Sequence, residues 1–234
     1  MKAYLMIFAL ALGLTACTER QEQEMEEATV DMQAEVNEFQ NDFRTGLQEA
    51  DNEIEQFAAN VDAAGEEAQA EWNDTVEELR QESRELGQEI DQMQYETAEE
   101  FAEAKQNYHQ RMRTLDARLT EARLEAIDTR EDFQAAAERE LADIDQWIDE
   151  LENRLATADE EVRDSYEGTL EELREERAEL AADYNRIENA TEDDLEDLRD
   201  GVAEALAEMG RELDQAIYEV DYRLAEMTDG DNNY

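Results

Sequence analysis

The sequence predicts an all-α protein made of two tandem antiparallel three-helix bundles, in a spectrin-like or coiled-coil array with about 94 residues per repeat. Three observations predict this fold class. The chain contains no proline, the residue that most strongly interrupts helices. Its apolar residues recur at alternating steps of three and four, the period of an amphipathic helix, and no stretch sustains the period of two typical of strands. The sequence also matches itself when it is shifted by 94 positions.

The first element, residues 1–16, is typical of an export signal. Lys2 precedes an apolar run that is too short to cross a bilayer as a helix. The segment closes with Leu14, Thr15 and Ala16 directly before Cys17, an ending that resembles the lipobox of bacterial lipoproteins. The alternative interpretation is an ordinary secretory peptide followed by a chance cysteine.

The lipobox resemblance implies that Cys17 becomes the N-terminus and carries diacylglycerol, usually with a third acyl chain such as palmitate on its amine. Each buried methylene contributes about 0.8 kcal/mol, so the lipid would hold the protein permanently on a membrane. Cys17 is the only cysteine, which excludes a disulfide within the chain. Since Thr18 and not aspartate follows it, the resemblance implies the outer membrane of a Gram-negative envelope, facing the periplasm.

After a lipidated cysteine and polar tether at residues 17–33, the first helical repeat is predicted at residues 34–127 and the second at 128–221. A polar tail at residues 222–234 ends the chain. The 94-residue shift aligns aromatic, threonine and apolar positions without a gap. The aligned pairs include Phe39 with Phe133, Leu47 with Leu141, Ile54 with Ile148, Trp72 with Tyr166, Thr75 with Thr169, Thr97 with Thr191 and Lys105 with Arg199.

Helix breaks are expected at corresponding places in the two repeats. Residues 60–65 and 154–159 lose helix-forming strength, and Gly65 or Asp159 can start the next helix. Thr97 and Thr191 each stand three residues before an acid, as in a capping box. Each repeat is therefore predicted to contain three helices of roughly thirty residues. At the junction, residues 126–129, either one helix continues between the bundles or Thr129 caps a new one; an extended, self-assembling coiled coil is the alternative architecture.

The strongly negative charge of the chain argues against anionic partners. The chain has 68 acidic and 20 basic side chains and a net charge of -48. Such a surface is repelled by nucleic acid and by anionic headgroups. Lysine occurs only at Lys2 and Lys105, so nearly all cations are arginine, a pattern similar to that of proteins from salty habitats.

Part of each repeat resembles small bacterial coiled-coil proteins of a stress-response family. The shared pattern is an aromatic residue before a leucine-rich helix, a turn, and a second helix with an aromatic residue and a lysine. Here it comprises the run from Ala64 through Trp72, Thr75 to Arg80, Leu86, Thr97 to Phe101 and Lys105, with a second copy from Ala158 to about Val220 in which Arg199 replaces the lysine. The resemblance implies neither catalytic residues nor a cofactor.

Few residues are candidates for chemistry. His109, the only histidine, is expected to be a surface or flanking residue because metal sites and triads need partners that the pattern lacks. We therefore expect no catalytic residues, no metal and no cofactor. Trp147 lies beside the core position Ile148 and aligns with Glu53, so it either widens the core or forms a partner contact.

These patterns favour a non-enzymatic, lipid-anchored lipoprotein of the cell envelope that acts as a spacer or interaction scaffold, in connection with envelope stress. Its expected partners are the membrane, through Cys17, and an envelope protein or a second copy of the chain. The alternative is an acidic binding module for divalent cations or basic proteins. An enzyme is the least favoured class.

Overall fold

The computed structural model describes the backbone of residues 7–230 except 94, 96 and 188, and the side chains of residues 33–224 except those three and 98, 192 and 193. The described residues form helices and turns and contain no strand, which confirms the all-α prediction. None of the helices searched in this part of the chain combines the length and apolar character that a membrane span needs. The six helices are α1 Ile7–Ala64, α2 Glu66–Asp91, α3 Ala98–Glu125, α4 Arg130–Thr157, α5 Glu160–Ile187 and α6 Glu192–Gly230.

The helices begin and end at the predicted breaks because the local capping signals act there. The backbone N–H of Glu100 donates to Thr97 Oγ1 at 3.2 Å, and that of Asp194 donates to Thr191 Oγ1 at 3.3 Å. Asp159 accepts from the N–H of Val162 at 2.9 Å. Each bond satisfies a backbone donor that the first turn of a helix leaves free.

Gly65 begins α2 without a side-chain cap, because glycine can adopt the backbone conformation that this turn needs. It joins α1 to α2 as a single residue with φ 109° and ψ -171°, a conformation that side chains with a Cβ disfavour. We expect Gly65→Ala to lower the free energy of unfolding by about 1–3 kcal/mol, although its Cβ would meet no atom within 4 Å. Gly168→Ala, within α5 and equally uncrowded, should instead stabilise by about 0.5–1 kcal/mol. Urea unfolding of both variants checks the opposite signs.

The junction between the repeats is a break and not a continuous helix. Thr129 has extended dihedrals, and its Oγ1 accepts from the N–H of Asp132 at 3.1 Å while donating to Asp132 Oδ2 at 2.7 Å. Of the two arrangements that the sequence left open, Thr129 therefore caps a new helix.

Removing this cap should cost about 1 kcal/mol of stability. We expect that loss for Thr129→Ala in urea unfolding. Thr114→Ala is the control, since the Thr114 hydroxyl only bonds the carbonyl of Gln110 within α3. An equal effect of both changes would contradict the capping role.

Each repeat closes its own hydrophobic core, so the chain does not form the alternative extended coiled coil. The first core is built by α1, α2 and α3, and the second by α4, α5 and α6 with Leu124 from the end of α3. The duplication extends to a cation–π contact. Lys105 Nζ lies 5.8 Å from the Phe39 ring centroid, and at the aligned positions Arg199 Cζ lies 5.4 Å from that of Phe133.

The two bundles lie side by side, because α3 packs antiparallel along α6. At one end of this contact the His109 and Tyr218 rings are 4.4 Å apart, and at the other Arg199 Nη2 donates to the carbonyl of Glu125 at 3.3 Å. We call the contact surface of α3 and α6 the seam. The second bundle therefore adds width to the molecule and little length.

The first and last helices extend beyond the predicted repeat boundaries at residues 34 and 221. The backbone of α1 is helical from Ile7 through the expected lipobox and tether, where neither glycine nor proline occurs between residues 14 and 45. The side chains of Leu14, Thr15, Ala16 and Cys17 lie outside the described residues, so lipidation stays a prediction. α6 continues to Gly230, into the expected polar tail, and Tyr222 and Leu224 there are half-buried.

Candidate functional site

The seam is the candidate functional site, because it brings titratable side chains from both repeats together. Small residues lie along it: Ala117 on α3, and Ala207 and Gly210 on α6. A Cβ at Gly210 would lie only 3.3 Å from Cζ3 of Trp147, so glycine also makes room for that ring. A cavity of about 150 Å³, the seam cavity, remains between α3, α4 and α6.

Arg113 is the most buried charge of the seam, at 8% exposure. Its Nη1 lies 3.6 Å from Asp214 Oδ2, and its Cζ lies 5.5 Å from the Tyr218 ring centroid. Nη1 has no hydrogen-bond partner among the described residues. The guanidinium is therefore held by charge and by the aromatic face more than by directional bonds.

Two carboxyl groups, those of Asp116 and Asp214, lie near Arg113 in the seam. Burial raises the pKa of Asp116 from its ordinary 3.8 to about 7, and repulsion from Glu53 and Asp214 adds to the shift. Burial also raises the pKa of Asp214, while Arg113 opposes that change. By accessible surface both residues are exposed, Asp214 with 58% of its side chain, so water reaches them and moderates these effects.

His109 lies half-buried at the end of the seam, on the flank of the first core. Its ring centroid is 5.5 Å from that of Phe39 and 4.4 Å from that of Tyr218. Burial lowers its pKa from 6.5 to about 4, and the nearby cations Arg113 and Lys105 add to the shift. At neutral pH the imidazole is therefore uncharged and acts as an aromatic packing group.

Because these shifts are opposite, the seam should respond to acid in two opposed ways. Asp116 binds a proton more tightly in the folded state, so its contribution to stability rises as the pH falls from about 7 towards 4. His109 binds a proton more weakly when folded, so its contribution falls between pH 6.5 and 4.

Variants should separate the two contributions. In urea unfolding at a series of pH values, His109→Gln should remove the loss between pH 6.5 and 4, and Asp116→Asn should remove the gain below pH 7. Unchanged profiles in both variants would contradict the assignment. The remaining acidic residues contribute the same pH dependence of stability to the wild-type chain and to both variants, so the differences report His109 and Asp116.

Trp147, the candidate partner contact, lines the seam cavity. Its side chain is half-buried and packs against the second core, as the alternative of a widened core requires. A contact with a partner through this ring stays a prediction. The described residues contain no group of three or more histidine, cysteine, aspartate or glutamate side chains placed to hold a metal ion.

Arg113, Asp116 and Asp214 were not singled out from the sequence, although the duplication carries a signal for them. At four seam positions, the 94-residue shift aligns a charged residue of one helix, α3 or α6, with a small residue of the other. The aligned pairs are Arg113 with Ala207, Asp116 with Gly210, Ala117 with Arg211 and Thr120 with Asp214. Such mismatches between repeats mark the positions where α3 and α6 fit together as an approximately two-fold pair.

The sequence matches no described protein family, and no curated protein or solved structure is significantly similar to it. The resemblance to stress-response proteins therefore stays a prediction that depends on the residues quoted above. What the seam can do chemically follows from its own groups: it can take up protons, hold opposite charges together and join two bundles.

Proposed function

We propose that this protein is a non-enzymatic, lipid-anchored scaffold of the cell envelope that presents its paired bundles to a partner protein, in connection with envelope stress. The anchor is the lipid on Cys17, and in a Gram-negative host the location is the outer membrane. Between the anchor and the first bundle, residues 17–33 supply about 25 Å of helix, at 1.5 Å per residue.

The observation that carries the scaffold proposal is the side-by-side seam. A bundle helix such as α4 has 28 residues and is therefore about 42 Å long. Two bundles placed end to end would double that reach, whereas the seam uses the second bundle to widen the surface. A broad surface suits an interaction scaffold better than a spacer.

One groove favours a basic partner, which is the second candidate function. Between α1, α3 and α6, the aromatic side chains Phe43 and Tyr218 line a groove of about 500 Å³. Three exposed carboxylates of α1, Glu35, Glu38 and Asp42, line it against a single cation, Lys105. An amphipathic segment with lysine or arginine beside apolar side chains is complementary to this surface.

The anchor is tested first, by metabolic labelling with a palmitate analogue and membrane fractionation. We expect label on the wild-type chain and on Thr18→Ser, and none on Cys17→Ser, which should also leave the outer-membrane fraction. Label that persists in Cys17→Ser would overturn the lipoprotein proposal.

The scaffold is tested by crosslinking in intact cells, followed by a high-salt wash and identification of what remains. The groove variant Glu35→Gln, Glu38→Gln, Asp42→Asn removes three charges. Its matched control is Asp164→Asn, Glu167→Gln, Glu171→Gln, because those exposed acids of α5 have the same spacing and make no ion pair among the described residues.

A single partner that survives the wash, and that only the groove variant loses, is the expected result. Equal loss from both variants would show that general acidity and not the groove attracts the partner. Recovery of the chain alone would contradict the scaffold. Calcium binding in isothermal titration, with no protein partner, would favour the acidic cation sink instead.

A further inference from the structure

A second cavity lies where the first bundle meets the junction between the repeats. It has a volume of about 270 Å³ and is bounded by the end of α1, the start of α2, the end of α3 and the first turns of α4. We call it the junction cavity. Its apolar lining includes Phe57, Val61, Ala68, Trp72, Ile127 and Ala136. Cavities between packed units are common sites for small ligands.

Comparison of the two repeats explains why this cavity is open. Ala68 aligns with Val162, which is 4% exposed in the second core. Ala64 is exposed, whereas its counterpart Ala158 is 5% exposed. The second repeat thus fills the space that the first leaves open, and Trp72, edge-on to Phe57 at 6.0 Å, forms part of the wall.

The polar residues of the junction cavity are unusual for so acidic a chain, because two arginines converge there. Arg123 Nη1 pairs with Glu53 Oε2 at 2.5 Å. Arg139 donates from Nε to the carbonyl of Ala135 at 3.0 Å, and no carboxylate among the described side chains pairs with its guanidinium. Arg139 is exposed, so its terminal nitrogens can bind an acceptor from solvent.

One acid opposes an anion at this place. Glu140 also lines the cavity; burial raises the pKa of its carboxyl, and the charges of Arg123 and Arg139 act against that shift. As the pH falls, the Glu140 carboxyl therefore takes up a proton and loses its charge sooner than an exposed glutamate does. An anion bound beside Arg139 meets less repulsion in mild acid than at high pH.

We propose that the junction cavity binds a small amphipathic anion, with its apolar body against Trp72 and Ala68 and its carboxylate on Arg139. The size of the cavity admits a short acyl chain or a single aromatic ring. The apolar wall supplies affinity, and the guanidinium selects a carboxylate over neutral or cationic molecules of the same shape. This site goes beyond the scaffold function and does not depend on the lipid anchor.

The two tryptophans of the chain make the proposal testable site by site. In the full chain, Trp147→Phe leaves Trp72 as the reporter of the junction cavity, and Trp72→Phe leaves Trp147 as the control reporter. Octanoate is the probe, with octanol and octylammonium as neutral and cationic comparisons. We expect a saturable change of Trp72 fluorescence with octanoate, and no saturable change of Trp147 fluorescence.

Two variants then test the contacts. Arg139→Gln should weaken octanoate binding about tenfold, equivalent to about 1.4 kcal/mol, and leave octanol unchanged. Ala68→Val introduces the residue that the second repeat has at the aligned position. It should weaken the binding of both octanoate and octanol, because the larger side chain fills the cavity. Arg186→Gln and Ala70→Val are exposed controls, and circular dichroism verifies that every variant keeps its helices.

Octanoate and octanol binding with equal affinity, or full octanoate affinity in Arg139→Gln, would overturn anion recognition. A response to octanoate that never saturates, or that Ala68→Val leaves intact, would overturn the cavity itself. None of these outcomes depends on a protein partner, so failure here is distinguishable from failure of the scaffold proposal.

Discussion

Phe133→Ala is expected to lower the free energy of unfolding of the second bundle by about 3–5 kcal/mol. Phe133 is 0% exposed within the second core, and the change also removes the aromatic face on which Arg199 lies. The side chain is large and fully enclosed, so the surrounding helices cannot collapse completely into the space it leaves.

The measurement uses the two tryptophans as separate reporters during urea unfolding. Trp147 packs against the second core and Trp72 against the first. We expect the Trp147 transition to move to lower urea while that of Trp72 moves much less, since each bundle has its own core. Phe39→Ala, at the aligned position, should reverse the pattern. Equal movement of both transitions would show that the seam couples the bundles into one cooperative unit.

Ala203→Phe is expected to separate the bundles. Ala203 is 0% exposed and belongs to the second core; it lies four residues from Arg199 and from Ala207, on the same stripe of α6 that faces α3. A phenyl ring there overpacks the seam, at a cost of about 1–3 kcal/mol, and the simplest relief is movement of α3 away from α6. The helices themselves should remain, because the other residues of both cores are unchanged.

Small-angle X-ray scattering and circular dichroism together check this expectation. The radius of gyration should increase in Ala203→Phe with little change of helix content. Gly201→Phe is the matched control: it lies nearby on α6, is exposed, and its Cβ would meet no atom within 4 Å. An unchanged radius of gyration in Ala203→Phe would mean that the seam can absorb the ring.

Much of the fold could be predicted from the sequence, because helix period, caps and breaks are local signals. The Thr97 and Thr191 caps each depend on residues within one turn. The duplication made them easier to find, since the same break appears twice. The one local alternative left open was at Thr129, where a cap and a continuous helix are compatible with the same residues.

The candidate site was much less predictable. The residues of the seam have no distinctive spacing of their own, since charged side chains occupy every exposed face of this chain. Trp147 departs from the repeat, since it aligns with Glu53, but no signal in the sequence indicates that it packs against Gly210 of α6. Arg113 looks like any solvated arginine until Asp214 and Tyr218 are placed beside it.

The sequence by itself determined that this chain is helical, duplicated and strongly acidic, because these properties follow from residue composition and short-range spacing. Only the tertiary structure decided that α3 packs along α6, that Arg113 is buried beside Asp214, and that a cavity stays open at the junction. These features arise from distant residues that meet when the two bundles lie side by side, and no period along one helix encodes which of its faces will meet another.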